Sequence, residues 1–349
     1  MKRVVILFLV FFLGVSTAFP AKVSTLYQGV LPVATQSATQ RDRLATEALA
    51  QVFIKVSGND DILNNPAIKA HLSSANSLVD EYSYSRAPSI PGNAMPWLLQ
   101  LDFGVDAINK ILREAGAPIW GQNRPLMAVW LDYEVPGHAP EIIGADSGSN
   151  ITLLLKQNTD RRGVPVVFPA LDVQDLAQVT VNDVASMNFF KLINGSARYS
   201  SDAVLAGRIQ ATANGYITQW KLALGNDQWG WTITAKTLPD VMAEIANHVA
   251  GTLAGRYATV ISNTVQSEFT LKIQGIAAAD DFVQVSNYLR HLTPVSDVQL
   301  LEIDGTNMVV KISLRGTRES FEKALSVGKK LTPVANTNPS LLAYQWNNI

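Results

Sequence analysis

Asp132, Asp172, Asp175 and Arg208 have the types and positions to line a polar cleft. Each lies at or just beyond an apolar run. Pro125–Leu131 leads into Asp132, Tyr133 and Glu134, and residues 164–171 lead into Asp172, with Asp175 three positions on. A third run, Ala203–Ile209, is preceded by Arg198 and Tyr199 and has Arg208 near its end. Short, uniformly apolar runs suit strands covered on both faces of a parallel sheet. Open α/β sheets bind ligands in crevices at the carboxyl ends of such strands. Parallel strands would bring these carboxylates out at one edge, and two carboxylates at the right separation can hydrolyse a glycoside. The same residues also have plainer uses. Asp172 stands where a helix would start and can cap it. Asp175 would fall in that helix's first turn, where the dipole favours an acid, and Asp132 can simply end a strand. The expected ligand-binding set is therefore Asp132, Asp172, Asp175, Arg198, Tyr199 and Arg208, with no residue assigned as catalytic.

Other chemistries have less support. His71, His138, His248 and His291 form no H-E-x-x-H pair, and His138 sits in a turn-rich loop between Pro136-Gly137 and Pro140, so no metal and no cofactor are expected. Asp146-Ser147-Gly148 lacks a matching histidine segment and reads as a flexible loop. Ser326-Val-Gly-Lys329 matches Ser-x-x-Lys by letters, but its companion motifs come in the wrong order. The chain has no cysteine, which removes disulfides, thiol catalysis and Cys-ligated zinc. Trp220, Trp229 and Trp231 cluster on a predicted hairpin. They are either an interaction surface, since exposed aromatic groups mark interfaces, or packing beneath the helix that follows.

The elements that must position these groups can be read from periodicity. Leu44, Ala48, Val52 and Val56, widened by Leu49 and Phe53, make the apolar stripe of a helix over 40–56 that ends at Ser57-Gly58. Strands are expected at 25–33, 78–85 and 96–103, with a proline-rich loop over 86–96 and a helix over 106–114. In the middle of the chain, a helix over 151–160 would cross between the first two apolar strands. Segments 216–224 and 229–235 alternate around Gly225-Asn226-Asp227 as a hairpin, and 238–262 reads as a long helix. Near the end, strands at 269–273, 298–303 and 308–314 and helices at 280–292 and 317–327 give a ferredoxin-like order. The expected fold is mixed α+β and α/β and multi-domain. A central α/β unit (120–263) is flanked by an α+β unit (22–118) and a smaller ferredoxin-like unit (266–334), and the tail 335–349 either adds a strand or stays loose.

Several linked segments carry a family resemblance. They are Lys55-Val-Ser-Gly58 at the end of the first helix, Arg124-Pro-Leu-Met-Ala-Val-Trp-Leu131, Arg162-Gly-Val-Pro-Val-Val-Phe-Pro-Ala-Leu-Asp172, and Ser196-Ala-Arg-Tyr199 leading to Asp202-Ala-Val-Leu-Ala-Gly-Arg208. Together they resemble the bacterial domain-of-unknown-function family 2066 over most of the chain. The resemblance implies an exported protein and supplies no catalytic or ligand residues. By element order alone, the small α/β units also resemble those of envelope accessory proteins of the curli-assembly and TolB amino-terminal kind.

Composition and the amino terminus agree with export. Of 349 residues, 47% are hydrophobic and 16% charged, enough apolar surface for folded cores. With 28 Lys+Arg against 29 Asp+Glu, the net charge of −1 offers no basic field for nucleic acid. Lys2 and Arg3 precede the uncharged run Val4–Val15 and then Ser16-Thr17-Ala18, the order of a cleavable signal. That run is too short to span a bilayer, which takes about 20 residues. Cleavage is expected after Ala18 and delivery to the periplasm, with no later membrane-spanning segment. The function expected is a non-catalytic envelope protein that binds another protein or a cell-wall polymer. The alternatives are a small-ligand or glycan-binding protein and a carboxylate-dependent hydrolase.

Overall fold

A computed structural model describes residues 21–87, 95–261, 266–327, 330–335 and 341–347. Residues 1–18, expected to be a cleavable signal, the centre of the 86–96 loop and parts of the tail lie outside these described residues. The architecture is mixed α/β with several sheets.

The amino-terminal part contains β1 (Ala21–Lys22), β2 (Gln28–Val33), α1 (Ala38–Ser57), α2 (Pro66–Leu72), β3 (Val79–Arg86), β4 (Trp97–Phe103) and α3 (Val105–Glu114). β4 lies between β2 and β3, antiparallel to both. The predicted stripe of α1 is its buried face: Ala48, Leu49, Val52, Phe53 and Val56 have no exposed surface. Ser37 caps the start, and Gly58 ends the helix in the left-handed conformation (φ 74°) that lets its N–H reach the Ile54 carbonyl.

Two short strands follow, β5 (Pro118–Ile119) and β6 (Asn123–Arg124), and then the central sheet. This sheet is built from β7 (Met127–Glu134), β8 (Glu141–Ile143), β9 (Val166–Val167), β10 (Ala203–Thr212), β11 (Gly215–Leu224) and β12 (Asp227–Ala235), in the order β12-β11-β10-β7-β8 with β9 also beside β7. β7 and β10 are parallel, as are β7 and β9. α4 (Asn150–Arg162) is the crossover before β9, and α8 (Leu238–Tyr257) packs on the same core. The opposite face is covered by three short helices in the β9–β10 connection: α5 (Val173–Gln178), α6 (Val181–Ala185) and α7 (Phe189–Ser196). The expected strand over 164–171 shortens to two residues. Pro165 and Pro169 cannot donate to a ladder, and Leu171 takes a positive φ of 56°.

The last part follows β13 (Thr259–Val260), which pairs with β5. It comprises β14 (Gln266–Gln274), α9 (Ala279–Arg290), β15 (Val295–Asp304), β16 (Asn307–Arg315), α10 (Arg318–Leu325), β17 (Leu331–Pro333) and β18 (Leu341–Trp346). The order β15-β16-β14-β18-β17 keeps the ferredoxin-like arrangement of its first three strands. The tail adds a strand: β18 inserts beside β14, parallel to it, and pushes β17 to the edge.

Candidate functional site

Asp132 and Arg208 end the parallel pair β7 and β10 as direct neighbours across the ladder, and Glu134 and Gln210 are the next such pair. Glu134 accepts from Arg208 Nη2 at 2.9 Å and from Gln210 Nε2 at 2.8 Å, and these bonds hold its carboxyl below the usual range. The Asp132 side chain is fully buried. Neither of its oxygens has a hydrogen-bond partner, and Arg208 Nε stands 3.6 Å away. Burial pushes its carboxyl up, and the Arg208 charge opposes that shift.

Asp172 and Asp175 belong to a second cluster. Asp172 caps α5 by accepting from the N–H groups of Gln174 and Asp175 at 3.0 Å. Its two oxygens also receive Arg198 Nη1 and Nη2 at 2.7 and 2.9 Å. The Arg198 fork and the helix-start N–H groups together lower its carboxyl to about 2. Asp175 is buried and accepts from Arg198 Nη1 (3.1 Å), Tyr199 Oη (2.5 Å) and the Leu171 N–H (2.9 Å). Tyr199 Oη in turn accepts from the Ala170 N–H. These contacts lash α5 to the turn after α7.

Of the residues expected to line one cleft, Asp132 stands beside Arg208, while Asp172 and Asp175 are joined to Arg198 and Tyr199. Among the described residues, no hydrogen bond or ion pair joins the two clusters. β8 takes the flank of β7 beyond β9, and the chain after β9 runs beside the end of β8, where the Ala145 N–H donates to the Pro169 carbonyl. Asp172 is engaged by the Arg198 fork and by the start of α5, both of which favour its ionised form. Asp132 is occluded. The expectation for the tryptophans divides. Trp220 is 2% exposed, with Nε1 donating to Thr218 Oγ1 at 2.8 Å, so it forms no surface. Trp229 and Trp231 are half-buried against the central core, and Trp231 stacks on His248 of α8 with ring centres 5.6 Å apart.

Two features escaped the sequence reading. The first is a buried cationic seam made of Lys55, Arg124 and Arg162. Arg124 is fully buried and donates all five N–H groups to backbone carbonyls: Gly121 from Nε, Arg162 and Gly163 from Nη1, and Lys55 and Trp120 from Nη2. Those of Lys55 and Arg162–Gly163 lie at the carboxyl ends of α1 and α4, where carbonyls lack helical partners and the dipole favours a cation. Gly163 caps α4 at φ 66°, and a Cβ there would stand 2.6 Å from Arg124 Nη1. Lys55 is also buried, donating to the Thr25 and Gln28 carbonyls, and burial aided by the Arg124 charge lowers it to about 8. Arg162 pairs with Asp60 and donates to the Gly58 carbonyl.

The second feature is an apolar outer face on α5 and α7. Val173 is 87% exposed and Phe190 75%, with Leu176 and Ile193 beside them on the same two helices at 54% and 45%. The non-glycine residues with positive φ among those described, Leu171, Met187 and Ser200, all bound this helical layer. A backbone held in such conformations needs support from its surroundings, and the Asp172/Asp175–Arg198/Tyr199 cluster provides it. The doublet Phe189-Phe190 is the one sequence signal for this face: α7 buries the first ring and exposes the second.

Among the described residues, no cluster of three or more His, Asp or Glu could hold a metal ion. Among the described residues, no helix is long and apolar enough to cross a membrane.

Solved structures show weak likeness. The LpoB C-terminal domain from Salmonella enterica is 13% identical, covering 32% of this chain and 82% of its own, at a TM-score of 0.24. TolB from Acinetobacter baumannii is 12% identical, covering 44% of this chain and 33% of its own, at 0.25. The competence damage-inducible protein A (ComA) from Klebsiella pneumoniae is 14% identical, covering 43% and 92%, at 0.24. Scores this low give no basis for transferring fold or function. No curated protein matches the chain. Residues 21–121, the amino-terminal α+β part, match the family model described as a domain of unknown function (DUF8605).

Proposed function

We propose that this chain is an exported, non-catalytic protein of the bacterial envelope that binds another protein through the outer face of α5 and α7. The observation that carries this reading is the contrast between the two kinds of surface on the central sheet. The carboxylates suited to chemistry are spent on ion pairs and a helix cap, whereas Val173, Leu176, Phe190 and Ile193 stand open on the helices those ion pairs brace. Contiguous exposed apolar side chains rimmed by polar ones mark protein-binding sites. The order of residues 1–18 supports departure from the cytoplasm, and the resemblance to family 2066 agrees with it. The separate clusters of buried side chains support reading three domains, 22–118, 120–263 and one that begins at 266 and takes in β18 of the tail through Tyr344 and Trp346, the first two sewn together by Arg124 and by the β1–β6 and β5–β13 pairs.

The test is photo-crosslinking in intact cells with a photoreactive residue at position 190. The expected result is a discrete heavier adduct, lost when Val173 and Leu176 are both changed to Asp. Recovery of monomer alone, or adducts indifferent to those changes, would refute the reading. An intact mass of the native protein that still includes Met1–Ala18 would remove the export claim.

A further inference from the structure

The sheet in the last part of the chain ends in an uncovered strand. β15 is outermost in the order β15-β16-β14-β18-β17, so a row of its N–H and C=O groups has no neighbour in the sheet. The distal half of this strand carries Leu300, Leu301 and Ile303, which are 42%, 50% and 52% exposed. Leu300 pairs opposite Val310 and Ile303 opposite Met308, both buried, so these two face the helix-covered side yet extend past its cover. The irregularity between Leu300 and Glu302 leaves Leu301 as the extra residue of a bulge. Glu302, between Leu301 and Ile303, and Asp304, after Ile303, are exposed. Among the described residues neither acid has an ion-pair partner, and β15 contains no basic residue.

Natural sheets blunt their edges with bulges and charges, and both are present here. They do not hide the leucines, and the charges that β15 itself carries, Asp297, Glu302 and Asp304, are all of one sign, the Arg290 guanidinium of α9 reaching the strand only at the Val298 carbonyl. A second copy pairing through this edge would set acids against acids, which opposes the pairing. An incoming strand with lysine or arginine at alternate positions meets the opposite sign. Its intervening apolar side chains would cover Leu300 and Ile303.

We propose that the distal edge of β15 binds an extended basic segment of a partner protein by strand addition. Backbone pairing supplies the main attraction in this mode, and alternate side chains supply selectivity. The inference does not depend on the α5–α7 face, so either can fail alone.

The probe is a synthetic peptide alternating Lys and Val over seven residues, added to the full mature chain, with an alternating Glu and Val peptide as its partner probe. Amide hydrogen exchange is read residue by residue. The Lys peptide is expected to slow exchange along β15, to bind less tightly as salt rises, and to compete with no adduct formed at position 190. Glu302→Lys combined with Asp304→Lys should weaken it roughly tenfold and admit the Glu peptide instead. Leu301→Pro, placed in the bulge, should block both while leaving the protection of β14 and β16 unchanged. Protection elsewhere than β15, an affinity indifferent to charge reversal, or dimerisation of the chain through β15 would each overturn the proposal.

Discussion

The guanidinium of Arg124 lies 3.8 Å from the centre of the Trp120 ring and donates to the carbonyl of the same residue at 2.8 Å. One side chain thereby fixes the linker between the amino-terminal and central parts while closing the ends of α1 and α4. No carboxylate is needed, because five carbonyls and a ring face surround the cation. Replacing it by methionine keeps the volume and strands the carbonyls. Arg124→Met should therefore cost at least about 3 kcal/mol, and Arg124→Lys nearly as much, since an ammonium cannot reach both helix ends. Denaturant unfolding measures it. A loss under about 1 kcal/mol, within the range of an ordinary hydrogen bond, would show that the seam does not hold the two parts together.

Asp132 and Arg208 should respond in opposite directions. Burial raises the Asp132 carboxyl, so its charge is a burden on the folded state at neutral pH. Asp132→Asn is expected to leave stability at pH 7 unchanged or raised by up to about 1 kcal/mol. Arg208→Met removes the nearest counter-charge and should destabilise by about 2 kcal/mol. The double variant should recover most of that loss. Equal losses from both single variants would mean that the ion pair is a net support.

The Asp172–Arg198 pair sets an acid limb. The Asp172 carboxyl is lowered to about 2 in the folded chain, below its unfolded value, so the unfolded state takes up protons first. Its contribution is complete above the unfolded value of about 4 and disappears as pH falls towards 2. Thermal melting between these limits should show a steep fall. Asp172→Asn, which keeps a good capping group, should flatten it. An unchanged slope would place the acid sensitivity elsewhere.

How far the sequence reading reached depends on the distance of the contacts involved. The stripe Leu44–Val56 with its terminal Gly58 predicted α1 almost to the residue, and Gly225-Asn226-Asp227 placed the β11–β12 turn, because these signals are local. Asp172 as a helix cap is local too, and it is one of the alternatives weighed from sequence. The failure is at the pairing of charges. Periodicity says that Asp132 and Asp172 end apolar runs, but the partner of each comes from a connection 26 to 76 residues away in sequence, Arg198 for Asp172 and Arg208 for Asp132. The start of α5 is legible at Asp172, but α6 and α7 are not, for a related reason. Each helix is a turn or two long and rests on one or two buried apolar residues, Val184 on α6 and Phe189 and Leu192 on α7, while α5 is braced by the pairs of Asp172 and Asp175 with Arg198. The insertion of β18 beside β14 joins residues about 70 apart, and a six-residue apolar segment carries no mark of its neighbour.

Two glycines in the central part should give opposite results on mutation to alanine. Gly207 lies in the middle of β10 opposite Trp220, and a Cβ there would fall 2.3 Å from the indole ring. That ring is fully packed and tethered to Thr218, so it cannot yield cheaply, and Gly207→Ala should cost about 1–3 kcal/mol. Gly251 sits inside α8, where a Cβ would meet nothing within 4 Å. Here only the conformational freedom of the unfolded chain and the helix preference change. Gly251→Ala should therefore add roughly 0.5–1 kcal/mol of stability. The same thermal or denaturant melts that report on Arg124 distinguish the two. If Gly251→Ala destabilises instead, another surface closes over this face of α8. If Gly207→Ala is neutral, the packing of Trp220 against β10 is looser than its 2% exposure indicates.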